Sequence, residues 1–435
     1  MGSELVSLHM TSFTIKTGKL SQLEEEYLDK LVLKSLPVNY NFELRKCVYR
    51  IRKDNYCCVA LQMPEGLLAW APEISEILQF FCPTLKEVII MADVTYGACC
   101  IDDYTAKNLG CDLLIHYGHS CLVPVTEVGV NCLYIFVEIT FSSQKLSNAI
   151  ESSFKPDEHI IMMGTIQYSN VIREAVNIIN KGGYFKYLID VPQVSPLLPG
   201  EVLGCTSPII DQNNLKVNEN HKAESSVHDR AEVSHIIIFV ADGRFHLEST
   251  LIQNPGIKLY RFDPFNKIFS EEAYDLDTLH SVRKKAILKA TEARSVCIIL
   301  STLGRQGNVN ILNNICSLLS ERNIKHVKLL LSEITIDKIL NLNVDCSIQI
   351  GCPRLSIDWG DSFPKPLLNP YEAYVAFKSI DYRQVYPMDY YSKSGGEWSN
   401  YTTNAKCCDK SNVRDAIRQR LLQRSLMARS IGYSK

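Results

Sequence analysis

The stretch that decides the fold runs from Tyr56 to Ile139. It reads YCCVALQM (56–63), PEISEILQFF (72–81), EVIIMADV (87–94), DDYTAKNLG (102–110), DLLIHYG (112–118) and CLYIFVEI (132–139). Four apolar runs of strand length alternate with stretches of helical spacing. A strand that is apolar on both faces has to be covered on both faces, and parallel neighbours need a long crossover between them. The alternation therefore predicts a parallel sheet with helices on either side.

The same pattern recurs downstream. A second block holds HIIMMGTI (159–166), a helix through NVIREAVNIINKGG (170–183), and YLIDV (187–191). A third holds HIIIFVADG (235–243), the helical EEAYDLDTLHSVRKKAILKATEA (271–293), SVCIILSTLG (295–304), NILNNICSLLSERN (310–323), HVKLLLSEI (326–334) and CSIQIG (346–351). The blocks share a pattern but no repeat of fixed period. The expected fold is α/β, with three small parallel-sheet domains: 45–140, 141–232 and 233–395. The first 44 residues read as an extension carrying an exposed amphipathic helix. A polar, apolar-poor stretch at 211–233 reads as a surface insertion, and 396–435 as a tail ending in the basic helix VRDAIRQRLLQRSLMARS (413–430).

At 435 residues, 46% hydrophobic and 22% charged, the composition is that of a globular chain and excludes collagen-like or wholly disordered ones. Lys+Arg 46 against Asp+Glu 48 leaves a formal charge of −2, so no global field draws in nucleic acid. No apolar run reaches the roughly 20 residues that span a bilayer. The opening MGSELVSLHMTSFTIK lacks an apolar leader core, which places the chain in the cytoplasm. There its 16 cysteines are expected to be reduced rather than bridged. Most read as small buried hydrophobes, as Cys58, Cys132 and Cys297 do inside strand runs.

Three cysteines stand elsewhere. Cys99 follows EVIIMADV, Cys205 lies in GEVLGCTSP beyond the second block, and Cys352 follows CSIQIG. Open parallel sheets bind ligands beyond the carboxyl ends of their strands. No C-x-x-C pair occurs, which argues against a zinc ribbon or a thioredoxin-type site. On spacing alone, three packing cysteines are the simpler reading. The glycines and prolines beside them favour a thiolate site, because they fix loop geometry close to the sulfur. TLGRQG (302–307) has neither phosphate-loop nor dinucleotide spacing. In HYGHSC (116–121), His116 and His119 read as a metal pair or, more simply, as residues shaping a pocket. His246 and Glu248 lie at another strand end.

The strings QMPEGLL (62–68), DVTYGACCIDD (93–103), HYGHSC (116–121), PLLPGEVLGCTSP (196–208), DGRFHLES (242–249), TLGRQG (302–307), LLLSEI (329–334) and CPRLSIDWG (352–360) resemble the diphthamide synthase family, in order, across roughly 45–395. The fit is to the catalytic one of its two paralogous eukaryotic subunits. The resemblance implies a [4Fe–4S] cluster where three α/β domains meet, held by Cys99, Cys205 and Cys352. Cys100 is the rival to Cys99, which is preferred because the family ligand follows Gly97-Ala98. It implies S-adenosylmethionine as substrate, cleaved between sulfur and Cγ. The 3-amino-3-carboxypropyl group then passes to a histidine of translation elongation factor 2, and methylthioadenosine is left.

Family positions that contact the substrate fall on Gln306, Ser332, Arg354 and Asp358. Arg354 suits a carboxylate and Asp358 an ammonium, with a local salt bridge between the two as the plainer alternative. The implied partners are a paralogous second subunit, elongation factor 2 and a small zinc- or iron-binding electron donor with its reductase. No nucleic acid or membrane is implied. His246 and Glu248 are expected near the target histidine. The chain departs from the family pattern at Cys111, at Ala241 and in the 211–233 insertion, and none of these removes a ligand. A competing class is a non-catalytic iron–sulfur scaffold or electron carrier, and a cluster-free metabolite-binding protein is the plainest option.

Overall fold

The computed structural model describes residues 18–402, except 94, 214, 222–232 and 379. Within this range three four-stranded sheets form. The first contains β1 (Cys58–Gln62), β2 (Glu87–Met91), β3 (Leu113–Tyr117) and β4 (Asn131–Ile135), all parallel, in the order β2-β1-β3-β4. The second contains β5 (His159–Gly164), β6 (His235–Val240), β7 (Lys258–Asp263) and β8 (Ile268–Glu272), in the order β8-β7-β6-β5. Here β8 runs antiparallel at the edge. The third contains β9 (Ser295–Ser301), β10 (Lys325–Leu331), β11 (Cys346–Ile350) and β12 (Leu367–Leu368), all parallel, in the order β10-β9-β11-β12.

The apolar runs build these sheets for the reason anticipated. β3 and β5 are buried along their whole length, and helices cover both faces of the sheets. In the first and third sheets the chain order reverses between the two central strands. Their carboxyl ends, Gln62 beside His116 and Leu300 beside Ile350, mark the crevices where such sheets hold ligands.

Four expectations are corrected. The division at 233 between second and third blocks fails, because HIIIFV pairs along β5 and extends the second sheet. The third unit begins after β8. YLIDV contributes only isolated bridges, at Tyr187 and Asp190, instead of a full strand. The helix Gln22–Ser35, closed by a Ser21–Glu24 capping box, is not an exposed extension. Its Leu28 enters the first core, and Glu24 pairs with the buried Arg52 at 2.7 Å. Residues 396–402, assigned to the tail, also belong to the fold. Trp398 is buried, 4.9 Å from the ring of Tyr371 in the third core. The basic helix at 413–430 and most of the 211–233 insertion lie outside the described residues. No described helix is long and apolar enough to cross a membrane.

The third core holds one fully buried ion pair. Arg283 donates to both carboxylate oxygens of Glu372 (2.6 and 2.7 Å) and to the Leu367 carbonyl (2.8 Å). Glu372 also accepts from the Asn369 amide and the Tyr386 hydroxyl. Glu372→Ala leaves a guanidinium buried without its counter-charge and should cost about 3–5 kcal/mol. Chemical denaturation checks this. A variant within about 1 kcal/mol of the parent would show that the pair does not hold this core.

Candidate functional site

Each of the three cysteines lies past the carboxyl end of a strand. After β2 the chain crosses to a single turn, Ala98–Cys100, that carries Cys99 and Cys100. The Cys205 loop passes the carboxyl end of β5, where the Val202 amide donates to the Gly164 carbonyl and the Gly164 amide to the Gly200 carbonyl. Cys352 follows β11 and precedes the short helix Pro353–Trp359. All three are half-buried.

The thiols sense one another. The Cys99 thiol donates to Cys100; this, burial, and the charges of Cys100, Cys352 and Cys205 push it well above the ordinary thiol value. Burial pushes Cys205 up to about 12, with the charge of Cys352 adding to it. Burial likewise pushes Cys352 up to about 11. The buried Tyr391, hydrogen-bonded to Cys99, feels the charge of Cys99, Cys205 and Cys352 together. Three sulfurs from three sheets thus face one space, and three thiolates there repel unless a cationic centre neutralises them. Among the described residues no three His, Cys, Asp or Glu side chains converge on a single metal ion. Half-buried thiols grouped in this way, without nitrogen or carboxylate donors, suit a polynuclear iron–sulfur group, whose ligands bind separate irons.

Cys100 stands next to this group, and the Cys352 thiol feels its charge as well. The Cys100 sulfur accepts from the Cys99 thiol, from the backbone at Tyr96 and Gly97, and from Gln306 Nε2 at 3.3 Å, which brings it down to about 7 against burial. Tyr391 bonds Cys99. Gln306 therefore reaches the site, buried between Cys100 and Ser301.

The other expected substrate contacts are placed differently. Ser332 is exposed past the end of the edge strand β10 and bonds none of the site residues among those described. Arg354 and Asp358 pair with each other at 2.9 Å, one helical turn apart. Arg354 further donates to Glu248 (2.5 Å) and to the carbonyls of Gly204 (3.2 Å) and Phe245 (2.7 Å), and lies over the Phe245 ring. Two carboxylates and two carbonyls take four of its five N–H groups, leaving one Nη2 hydrogen, and the plainer salt-bridge reading describes both residues here. The guanidinium ties the Cys352 helix to the residue before Cys205. Glu248 belongs to this tie, while His246 lines a cavity between the first two sheets.

One tie was missed in the sequence. Arg305, in the loop after β9, grips both oxygens of Asp103 (2.7 and 2.6 Å) and lies over the Tyr104 ring. Its backbone amide donates to the Cys99 carbonyl at 2.8 Å. Burial pushes Asp103 up, but Arg305 and the Gly129 amide outweigh it and hold the carboxyl below its usual range. Gly304, at φ +54, lets this loop meet the Cys99 turn, since a Cβ there would stand 2.4 Å from the Cys100 carbonyl carbon. The segment after Tyr386 was missed as well. Met388 and Tyr390 bond the backbone beside and at Cys205, and the Tyr391 amide donates to Thr206. These residues are ordinary in type, and nothing in their spacing announces the contact.

Two outcomes follow for this junction. Gly304→Ala should displace the Cys99 turn and lower the iron retained after anaerobic reconstitution, with far-ultraviolet dichroism unchanged; iron content equal to the parent would contradict the packing. Because the folded Asp103 carboxyl is depressed, its stabilisation is complete above the unfolded value near pH 4 and is lost as pH falls through the folded one. Asp103→Asn should therefore make acid unfolding shallower than in the parent.

The comparisons extend this geometry. The profile of the family described as "Putative diphthamide synthesis protein" matches residues 63–387. Proteins named 2-(3-amino-3-carboxypropyl)histidine synthase subunit 1 are similar over most of the chain. The Dictyostelium discoideum protein is 46% identical over 86% of this chain and 75% of its own length. The Mus musculus protein is 45% identical over 89% and 85%. Among solved structures, Dph2 from Pyrococcus horikoshii aligns with a TM-score of 0.62 at 23% identity, covering 80% of this chain and 94% of that one. The same protein with a 4Fe-4S cluster aligns at 0.61 and 24%, covering 80% and 93%. Fold and sequence agree, and the chain belongs to the diphthamide synthesis protein family.

Proposed function

We propose that this chain is the catalytic subunit of a 2-(3-amino-3-carboxypropyl)histidine synthase. It would move the 3-amino-3-carboxypropyl group of S-adenosylmethionine onto a histidine of translation elongation factor 2. The observation that carries the reading is the gathering of Cys99, Cys205 and Cys352 from three sheets around Tyr391. The names of the relatives and the cluster in the Pyrococcus horikoshii structure support it.

In this reading Cys99, Cys205 and Cys352 supply the thiolates. A [4Fe–4S] cluster held by these three thiolates would supply the electron for breaking the bond from sulfur to Cγ of the substrate. The protein's own work is positional. Gln306 holds the Cys100 sulfur through its amide. Arg305 and Arg354 fix the loops that carry Cys99 and Cys205 against the third unit. The Tyr391 hydroxyl supplies a hydrogen bond to Cys99, which favours its thiolate. With four of its N–H groups committed, Arg354 keeps one Nη2 hydrogen for the substrate carboxylate. A paralogous second subunit, a cytoplasmic setting and a small electron-donor protein complete the proposal.

Product identity tests it. The chain, purified anaerobically with its paralogue, reconstituted with iron and sulfide and reduced with dithionite, should convert S-adenosylmethionine to methylthioadenosine, and Cys352→Ala should abolish this. 5′-Deoxyadenosine would mean a different bond is broken. A reducible cluster with neither product would identify a scaffold or electron-transfer subunit.

A further inference from the structure

The HYGHSC motif is not absorbed by the cysteine site. His116, fully buried at the end of β3, and His119 are joined through their rings, Nδ1 of His119 to Nε2 of His116 at 3.2 Å. His116 Nδ1 lies 2.9 Å from Gln62 Oε1. The amide of Gln62 has only one orientation that satisfies its neighbours. Its Nε2 donates to the Cys100 carbonyl at 2.9 Å, and its Oε1 accepts the Asp102 backbone amide at 3.1 Å.

Proton positions follow in order. An oxygen faces His116, so His116 Nδ1 carries the hydrogen. Burial holds His116 down to about 4, so the ring is neutral and its Nε2 is an acceptor. His119 Nδ1 must then donate to it. Burial and the charges of His116 and His246 hold His119 well below the usual imidazole range, against a bond to the Tyr117 carbonyl. A neutral His119 has one hydrogen, on Nδ1, which His116 Nε2 and the Tyr117 carbonyl must share, and its Nε2 keeps a lone pair.

His119 lines a cavity of about 340 Å³ between the carboxyl ends of the first and second sheets, beside the Cys99 turn. Glu201 is buried there; one carboxylate oxygen takes the Leu198 amide, and the other has only the nearby Ser120 hydroxyl, short of full hydrogen-bond geometry. Gln167 donates one amide hydrogen to the Gly118 carbonyl and keeps its oxygen. The rings of Tyr40, Tyr96 and Tyr168 form the walls, with the Tyr168 hydroxyl buried and unpartnered among the described residues. A buried imidazole lone pair and a buried carboxylate oxygen with room to accept call for a hydrogen-bond donor on the ligand.

We infer that His119 Nε2 and the second oxygen of Glu201 receive an N–H donor of the substrate, with Gln62 and His116 as positioning residues that fix the tautomer. The inference rests on the function proposed above. Two groups in that reaction have this chemistry: the imidazole of the target histidine and the ammonium of the methionyl group.

Equilibrium binding to the reconstituted two-subunit complex separates them. The probes are unmodified elongation factor 2, S-adenosylmethionine and methylthioadenosine, which lacks the ammonium. His119→Phe removes the lone pair while keeping a flat ring. His119→Gln can donate to His116 and still offer an oxygen to the cavity. A roughly tenfold rise in Kd for elongation factor 2 in the Phe variant, largely restored in the Gln variant, assigns the imidazole. The same pattern for S-adenosylmethionine but not methylthioadenosine assigns the ammonium. Both readings require iron content and melting temperature equal to the parent in the Gln variant. Unchanged affinities for all three probes in both variants overturn the assignment of His119. If the parent complex releases no methylthioadenosine, the proposed function fails instead, whatever His119 binds.

Discussion

Asp103 is a fully buried carboxylate, and the guanidinium of Arg305 makes that burial tolerable. The pair joins the first unit to the third at the turn that carries Cys99, and the Arg305 amide holds the Cys99 carbonyl directly. Arg354 does the corresponding work for the second unit. It reaches from the Cys352 helix to the Gly204 carbonyl and to Glu248. Both arginines belong to the third unit, so the cysteine of that unit becomes the reference against which the other two are placed. Planar, multiply bonded guanidinium contacts fix direction as well as distance, and a lysine in either place would supply charge without the fork.

Much of this was legible in the sequence, and the parts that were not have physical causes. Apolar strand runs with helical crossovers revealed parallel sheets, because two-sided burial leaves no polar alternation. They did not reveal which sheet a strand joins. HIIIFV is equally apolar wherever it pairs, and only the register with His159–Gly164 places it in the second sheet. The helix at Gln22–Ser35 looked exposed because its polar face includes Glu24, whose partner Arg52 lies on a different helix. The cysteines stood out by their place at strand ends. Arg354 also stood out, but as a substrate clamp, since a sequence does not show that most of a guanidinium's N–H groups are already committed. Arg305, Gly304 and Tyr391 carry no local signal, because each acts on a residue far away in the chain.

The electrostatics of the centre divide into two regions that share the Cys99 turn. On one side stand thiols whose protons are held by burial and mutual repulsion, an arrangement stabilised by a cationic cluster. On the other stands a cavity lined by neutral histidines and by Glu201 and Asp242. Gln62 touches both, through the Cys100 carbonyl and through His116. A reaction that generates a reactive fragment at one place and delivers it to a protein ring at another needs such adjoining regions, one metal-binding and one hydrogen-bonding.

The central claim is that Cys99, Cys205 and Cys352, and not Cys100, hold one cluster between three sheets. Electron paramagnetic resonance of the dithionite-reduced, anaerobically reconstituted complex tests it on four single alanine variants, with the cluster-binding cysteines of the partner subunit also replaced. The signal of a reduced [4Fe–4S] centre should vanish or change type in Cys99→Ala, Cys205→Ala and Cys352→Ala and persist in Cys100→Ala. Persistence in Cys99→Ala with loss in Cys100→Ala would contradict the account.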